Sequence, residues 1–256
     1  MFVGIDVVCI LIIIGLERIF PRRPYALLKE GLWKDIAVAL LNRYLGPQLY
    51  YFFPGGESYL GKLLPWGLND LPQWAEFLIA LIIADFGLFM IHWNMHRTKF
   101  GRNVHKLHHT PREVSATSGY RNGYGEEFFT LFFIIVPMHV LKVSYEVMDA
   151  LFLVFAVHGY FLHSNIDFKM PKPLRFICCP HFHQWHHIKR NLLPRGHNMG
   201  ATFTVWDKMF GTYIMPEEKP DNFGLPEGVV ERALWSEYFY PASIPIEWIK
   251  KKITKK

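Results

Sequence analysis

Long apolar runs constrain this chain more than any other feature, because a bilayer admits only segments that satisfy their own backbone hydrogen bonds. Residues 2–16 are apolar apart from glycines and Asp6, and residues 36–53 and 74–91 form the next two stretches. Each of these two lies near the ~20 residues a helix needs to span. Residues 128–141 and 147–162 are shorter, at 14 and 16 residues, and only residues 142–146 separate them. They predict a helical hairpin, either tilted and spanning or dipping part-way. The expected fold is therefore all-α, an integral membrane helical bundle with about four to five membrane helices. The alternative is that all five are core helices of a soluble all-α protein. The first run has Arg18, Arg22 and Arg23 after it, with no positive flank before it and no small-residue cleavage site behind it. It predicts a retained helix and not a secretory signal.

Charge placement gives the bundle an expected sidedness. Arg18, Arg22, Arg23, Lys29 and Lys34 follow the first run, whereas the long loop after the second holds only Lys62. Short cytoplasmic loops collect Lys and Arg, so the first loop is expected inside and the second outside. Counting crossings onward places residues beyond 162 inside as well, where Lys169, Lys172, Arg175, Lys189 and the closing lysines lie. This distribution accounts for the net charge of +6 in a chain only 20% charged, and no nucleic-acid partner is expected. Hydrophobic residues at 51% exclude a disordered or fibrous chain. Three cysteines, Cys9, Cys178 and Cys179, make no disulfide framework. The expected division is 1–73 for the N-terminal helices and loop, 74–215 for a catalytic domain with the hairpin, and 216–256 for a basic cytoplasmic tail.

The 13 histidines are not scattered. His92 and His96 form HxxxH at the inner end of the third run, one helical turn apart on one face. His105, His108 and His109 form HxxHH, and His183, His186 and His187 form a second HxxHH. Offsets of three and four place each trio on one helix face, where ring nitrogens can converge on a common centre. Eight imidazoles exceed what one ion uses, since a zinc ion takes about four ligands. The spacing predicts a dinuclear site in a cytoplasmic helical cap. Imidazole suits Zn, Cu, Fe and Ni alike, so the spacing does not choose the metal.

The segment ADFGLFMIHWNMHRTKFGRNVHKLHH, residues 85–109 with the preceding Ala84, resembles the fatty acid hydroxylase / sterol desaturase superfamily, as does HQWHH at 183–187 with HNMG and VWDKMFGT after it. Arg121, twelve positions beyond the second box, belongs to the same resemblance. What the resemblance implies is a membrane di-iron oxygenase: two iron ions, dioxygen as co-substrate, a lipid substrate and an external electron donor protein. It implies metal ligation by His92, His96, His105, His108, His109, His183, His186 and His187, with His163 in FLHSN as a ninth ligand. His158, about 140° round a helix from His163, is a weaker candidate. His181 is expected to hydrogen-bond a ligand. Asp85, two turns before His92, is expected to orient an imidazole. Asn198 and Asp207 match the family at a turn and an element end, and Arg121 is a candidate contact for a carboxylate, substrate or lipid headgroup, with a solvated basic residue as the alternative. Trp93 stands where many members carry arginine.

No nucleophile elbow, phosphate loop, dinucleotide fingerprint or HExxH is present in the sequence. The expected activity is hydroxylation of a fatty acyl, sterol or alkylglycerol type C–H bond, with desaturation or carotenoid oxidation on the same site as the alternatives. A non-catalytic metal-binding or transport protein is the reading from another class. It would want ionisable residues along a path through the helices, and these histidines gather at one end. The compact chain without a retrieval signal leads us to expect a bacterial inner membrane.

Overall fold

The computed structural model describes residues 4–24, 29–52, 62–189 and 196–244. Among them are nine α-helices: α1 (Ile5–Ile19), α2 (Leu32–Phe52), α3 (Gln73–Arg97), α4 (Lys99–Val104), α5 (Tyr124–Val140), α6 (Tyr145–His163), α7 (Pro180–His186), α8 (Val205–Phe210) and α9 (Leu234–Tyr238). Extended pairing among the described residues is confined to three isolated bridges. The all-α expectation therefore holds.

Two helices are both long and apolar enough to cross a membrane, α3 with 25 residues and α6 with 19. Only 33% and 28% of their apolar windows are buried, so they are not the enclosed core helices of a soluble protein. Trp74, Leu78, Ile82 and Phe86 of α3 face outward, as side chains that meet lipid do. The five expected stretches thus divide. α1 and α5, with 15 and 17 residues, rise ~23 Å and ~26 Å and fall short of the ~30 Å hydrocarbon layer. α2 has the length but carries Lys34, Asp35, Asn42 and Arg43. The end of the second stretch at residue 53 and the turn residues 54–61 lie outside the described residues.

The hairpin of α5 and α6 packs on α3 around Ala80, Ala84, Ile135, Met138, Met148 and Leu151. Small residues allow the close approach: a Cβ on Gly87 would stand 2.7 Å from the Phe133 carbonyl oxygen. Glu76 near the start of α3 accepts hydrogen bonds from the Ser144 amide and hydroxyl at 2.5 and 3.0 Å, which fixes where α6 begins. On the other side of α6, α1 contributes Ile13 to a cluster with Ala116, Tyr160 and Ile166. Glu17 of α1 is 1% exposed and accepts from the Ala116 and Asn165 amides at 2.8 and 2.6 Å.

A buried ionic knot ties the start of α2 to the turn at Ala116–Tyr120. Asp35 takes Arg121 Nε at 2.5 Å, Lys29 Nζ at 2.6 Å and the Thr117 hydroxyl at 2.8 Å. Arg121 also donates to Thr110 Oγ1 at 3.0 Å and to the Gly31 carbonyl at 2.8 Å. Of the partners expected for Arg121, the structure shows a carboxylate, Asp35, and not a headgroup: at 2% exposure it is fully occupied inside the protein, bracing the residue after His109. Burial lowers the Lys29 pKa, with Asp35 opposing the shift. Asp35→Ala leaves two buried cations uncompensated, and removing one member of such a group costs about 3–5 kcal/mol. A denaturant melt of the purified variant measures that loss, and an unchanged midpoint would contradict the pairing.

Candidate metal centre

Four segments deliver the histidines. His92 and His96 occupy one face of the last turns of α3, and His163 is the last residue of α6. α4 begins at Thr98, whose Oγ1 accepts the Gly101 amide at 2.9 Å, and His105, His108 and His109 lie in the turns just beyond it. α7 opens with Pro180, a residue suited to a first helical turn, and carries His183 and His186 with His187 at its end.

The rings form two groups. His92, His96, His105 and His186 make one, and His108, His163, His183 and His187 the other, with the ligand atoms of each within 4.8 Å of one another. His109 adjoins the first, its Nε2 3.0 Å from His186 Nε2. All nine sequence-derived ligand candidates therefore stand together. The HxxHH trios, however, do not each serve one centre. His105 and His186 join the first group, while His108, His183 and His187 join the second. The reason is angular: positions i+3 and i+4 of a helix lie about 100° apart, so neighbouring rings look toward different points.

Ring orientation shows why the groups suit cations. His92 Nδ1 meets the Met199 carbonyl at 2.8 Å, His186 Nδ1 the His197 carbonyl at 2.9 Å and His163 Nδ1 the Gly159 carbonyl at 2.7 Å. A carbonyl oxygen only accepts, so each Nδ1 carries the proton and each Nε2 presents a lone pair. His105 Nδ1 likewise reaches Glu126 Oε1 at 2.7 Å. Yet His92 Nε2 lies 3.0 Å from both His105 Nε2 and His186 Nε2. In the second group His163 Nε2 lies 3.0 Å from His108 Nε2 and 2.9 Å from His183 Nε2. Lone pairs facing one another at that distance repel unless a positive charge lies among them. Two imidazole nitrogens held ~2.1 Å from one ion at right angles would sit about 3.0 Å apart. The residues fit a pair of metal ions.

The loop after the third box supplies the outer support. Asn198 adopts a left-handed backbone, φ 59°, and its side-chain amide donates to the Phe182 and Ile214 carbonyls at 2.8 and 3.0 Å. Asp207 accepts from the Met199 and Gly200 amides, both at 2.7 Å, and from the Thr212 hydroxyl at 2.6 Å. Together they hold the His197 and Met199 carbonyls against His186 and His92. Asp85 works differently from expectation: its carboxylate accepts from the Thr202 and Phe203 amides and Trp206 Nε1, at 2.7, 3.2 and 2.8 Å. It anchors the same loop to α3 and does not touch an imidazole, because loop amides and an indole N–H occupy both of its oxygens.

Two other candidates stand apart. His158 Nε2 donates to the Cys178 carbonyl at 3.1 Å and joins neither group. His181 Nε2 donates to the Pro216 carbonyl at 2.7 Å, and its Nδ1 faces Arg22 Nη2 at 2.8 Å. Its partners are therefore not ligand rings. Glu126, absent from the sequence-based expectations, is the side chain that supports His105. A pair of carboxylates, Glu126 and Glu127, opening an apolar helix was the available signal.

Burial holds the pKa values of His105, His108, His109, His183, His186 and His187 well below 6.5, and neighbouring imidazoles push the same way. Neutral rings are what metal ligation requires. As pH falls below about 6.5, the unfolded chain takes up protons that the folded one refuses. The stability of metal-free protein is therefore full above that pH and declines beneath it. Thermal melts of chelated protein from pH 8 to pH 5 should show the decline, and a flat profile would contradict the buried, neutral assignment.

A cavity of about 330 Å³ opens onto both groups, with His92 and His105 of the first and His108, His163 and His183 of the second in its wall. Leu88, Ile91, Leu131, Ile134, Phe152 and Phe155 of α3, α5 and α6 supply apolar lining, and Asn122, Glu126, Glu127 and Thr130 polar lining.

Residues 77–212 match the fatty acid hydroxylase family. The ornithine lipid hydroxylase OlsE of Rhizobium tropici is 27% identical over 149 residues, 58% of this chain and 44% of that protein. The alkylglycerol monooxygenase of Xenopus tropicalis is 28% identical over 170 residues, 63% of this chain and 34% of that protein. Methylsterol monooxygenase 1 of Gallus gallus is 27% identical over 223 residues, 79% of this chain and 69% of that protein. The chain thus spans less than half the length of the first two. No solved structure matches it. With all nine clustered histidines and the loop that braces them inside the matched segment, the chain belongs to the fatty acid hydroxylase family.

Proposed function

We propose that this chain is a membrane-bound non-haem oxygenase that holds two iron ions and uses dioxygen to hydroxylate a lipid C–H bond. The observation that carries the reading is that both histidine groups line one largely apolar cavity beside helices suited to a membrane. Fatty acyl, sterol and alkylglycerol chains all have the apolar length such a cavity favours. Relatives named as a hydroxylase and as monooxygenases favour hydroxylation over desaturation. Bound iron would supply reductive activation of dioxygen and delivery of one oxygen atom to carbon, with electrons from a separate donor protein.

The chain's own residues do the rest. Carbonyls of Gly159, His197 and Met199 fix the tautomers of His163, His186 and His92, so the Nε2 lone pairs are set before any ion arrives. The apolar walls orient the lipid and exclude water. We read the histidine groups as lying on the cytoplasmic side, in keeping with the basic loops, in a bacterial inner membrane. Residues 74–215 form the catalytic unit, with 1–73 as N-terminal helices and loop and 216–256 as a basic tail. Metal analysis of the purified protein, paired with oxygen-dependent consumption of reductant and mass spectrometry of an added lipid extract, tests the reading. Iron together with a product 16 mass units heavier is the expected result. Tightly bound metal with no oxygen uptake under any donor would favour the non-catalytic alternative.

A further inference from the structure

The outward stripe of α3 runs into an apolar surface that the metal centre does not use. α8 packs on α3 through Trp206 against Phe86 and Phe210 against Phe89, with ring centroids 4.9 and 5.0 Å apart, and Phe210 also reaches Trp93 at 6.0 Å. Val205 and Met209, one helical turn apart, share a second face of α8, where they are 39% and 67% exposed. The segment before α7 widens this surface. Thr204 donates its amide to the Phe176 carbonyl at 2.9 Å and its hydroxyl to the Arg175 carbonyl at 2.7 Å, which places Leu174 and Phe176, both exposed, beside the start of α8.

Depth decides what covers the surface. Trp74, Leu78, Ile82 and Phe86 recur at every fourth residue of α3 with their side chains exposed, and Phe86 is where that stripe meets α8. At 1.5 Å per residue, Phe86 lies ~18 Å and Trp93 ~28 Å along the axis from Trp74. A hydrocarbon layer is ~30 Å thick, so a membrane that receives Trp74 at one interface holds α8 in its other leaflet. Contiguous exposed apolar side chains mark a contact surface, and here the contact is continuous with the lipid face of α3. Charge agrees: Lys172 and Lys208, both exposed, stand beside the apolar residues, and lysine stems lie along apolar surface while their heads reach the polar boundary.

We propose that the face formed by Leu174, Phe176, Val205 and Met209 is seated in the bilayer leaflet on the histidine side, with lipid acyl chains packed against these four side chains. Amphipathic elements bury an apolar face in this way at the boundary between headgroups and chains. Asp207, on the same short helix, accepts the Met199 and Gly200 amides of the loop that carries the His92 and His186 carbonyl partners. The bilayer thereby forms the outer wall of the support for the metal centre. The proposal concerns where the protein meets lipid and stands apart from the oxygenase reading.

The experiment places the metal-loaded, full-length protein in nanodiscs of phosphatidylcholine and phosphatidylglycerol, with an NBD fluorophore on Met209→Cys in a Cys9→Ser background. Cys178 and Cys179 are buried, so the label goes to the new thiol. Leu78→Cys, on the outward stripe of α3, carries the same label as the standard for contact with lipid. Doxyl-labelled phosphatidylcholine should extinguish the fluorescence at 209 as far as it does at 78, and aqueous iodide should leave both bright. Quenching of 209 by iodide and not by the doxyl lipid puts the face in water and overturns the proposal. Protection of 209 from both quenchers overturns it as well, since a protein surface, a second copy of the chain or a partner, then covers the face. Should Met209→Cys fail to accumulate, Val205→Cys reports on the same face with the same expected result. Lipid turnover enters none of these outcomes, so a failed oxygenase reading leaves the lipid contact standing and the reverse also holds.

Discussion

Replacing His186 with alanine is expected to abolish lipid oxidation and to strip metal from the first histidine group. His186 is the one residue of the third box in that group, and its Nε2 lies 3.0 Å from those of His92 and His109. The change removes a nitrogen from the centre of the cluster and leaves the His197 carbonyl without its imidazole donor. A catalytic metal contributes several kcal/mol of transition-state stabilisation, so product formation should drop by about 10³ or more. Metal content per chain should fall by about half or further. Because the lost side chain is an uncharged ring, the metal-free variant should melt within a few degrees of its parent. Full metal occupancy with full turnover would take His186 out of the site.

Asp207→Ala is expected to lower stability and metal affinity together. The carboxylate is 0% exposed and receives two amides and a hydroxyl. Truncation leaves those donors buried and unmatched, at ~1–3 kcal/mol each. Part of this is relieved by relaxation of the loop, and we expect a loss of about 4 kcal/mol. The same loop aims the His197 and Met199 carbonyls, so metal affinity should fall ~10- to 100-fold as well, the usual scale for supports of metal ligands. Asp207→Asn retains one acceptor and should show a smaller loss of both. Denaturant unfolding of the chelated protein reads the first effect, and metal competition with a chromophoric chelator reads the second. A destabilised variant with undiminished affinity would uncouple the loop from the ligands.

The histidine spacings made the metal residues legible because each box carries its own geometry, whereas His163 was implied only by the family resemblance. The sorting of rings was not legible. Which of His105, His108 and His109 serves which ion depends on where α6 and α7 arrive, and spacing within one segment holds no information about another. Asp85 illustrates the same limit. Seven residues before His92 it lies on a suitable face, but its partners Thr202, Phe203 and Trp206 come from more than a hundred residues away. Arg121 was open to a carboxylate, a headgroup or solvent on sequence alone, because Asp35 is remote in the chain. Helix type was clear from the apolar runs; their membrane roles were less so, since α2 buries Asp35 that hydropathy alone counts as a local interruption.

His92 and His186 are aimed by carbonyls at positions 199 and 197, which Asp207 secures in turn. During translation the early boxes leave the ribosome well before the segment that steadies them. A fully shaped receptacle for metal ions consequently exists only once the segment through Asp207 has been made, so a polypeptide cut short of it offers a metal ion no finished berth.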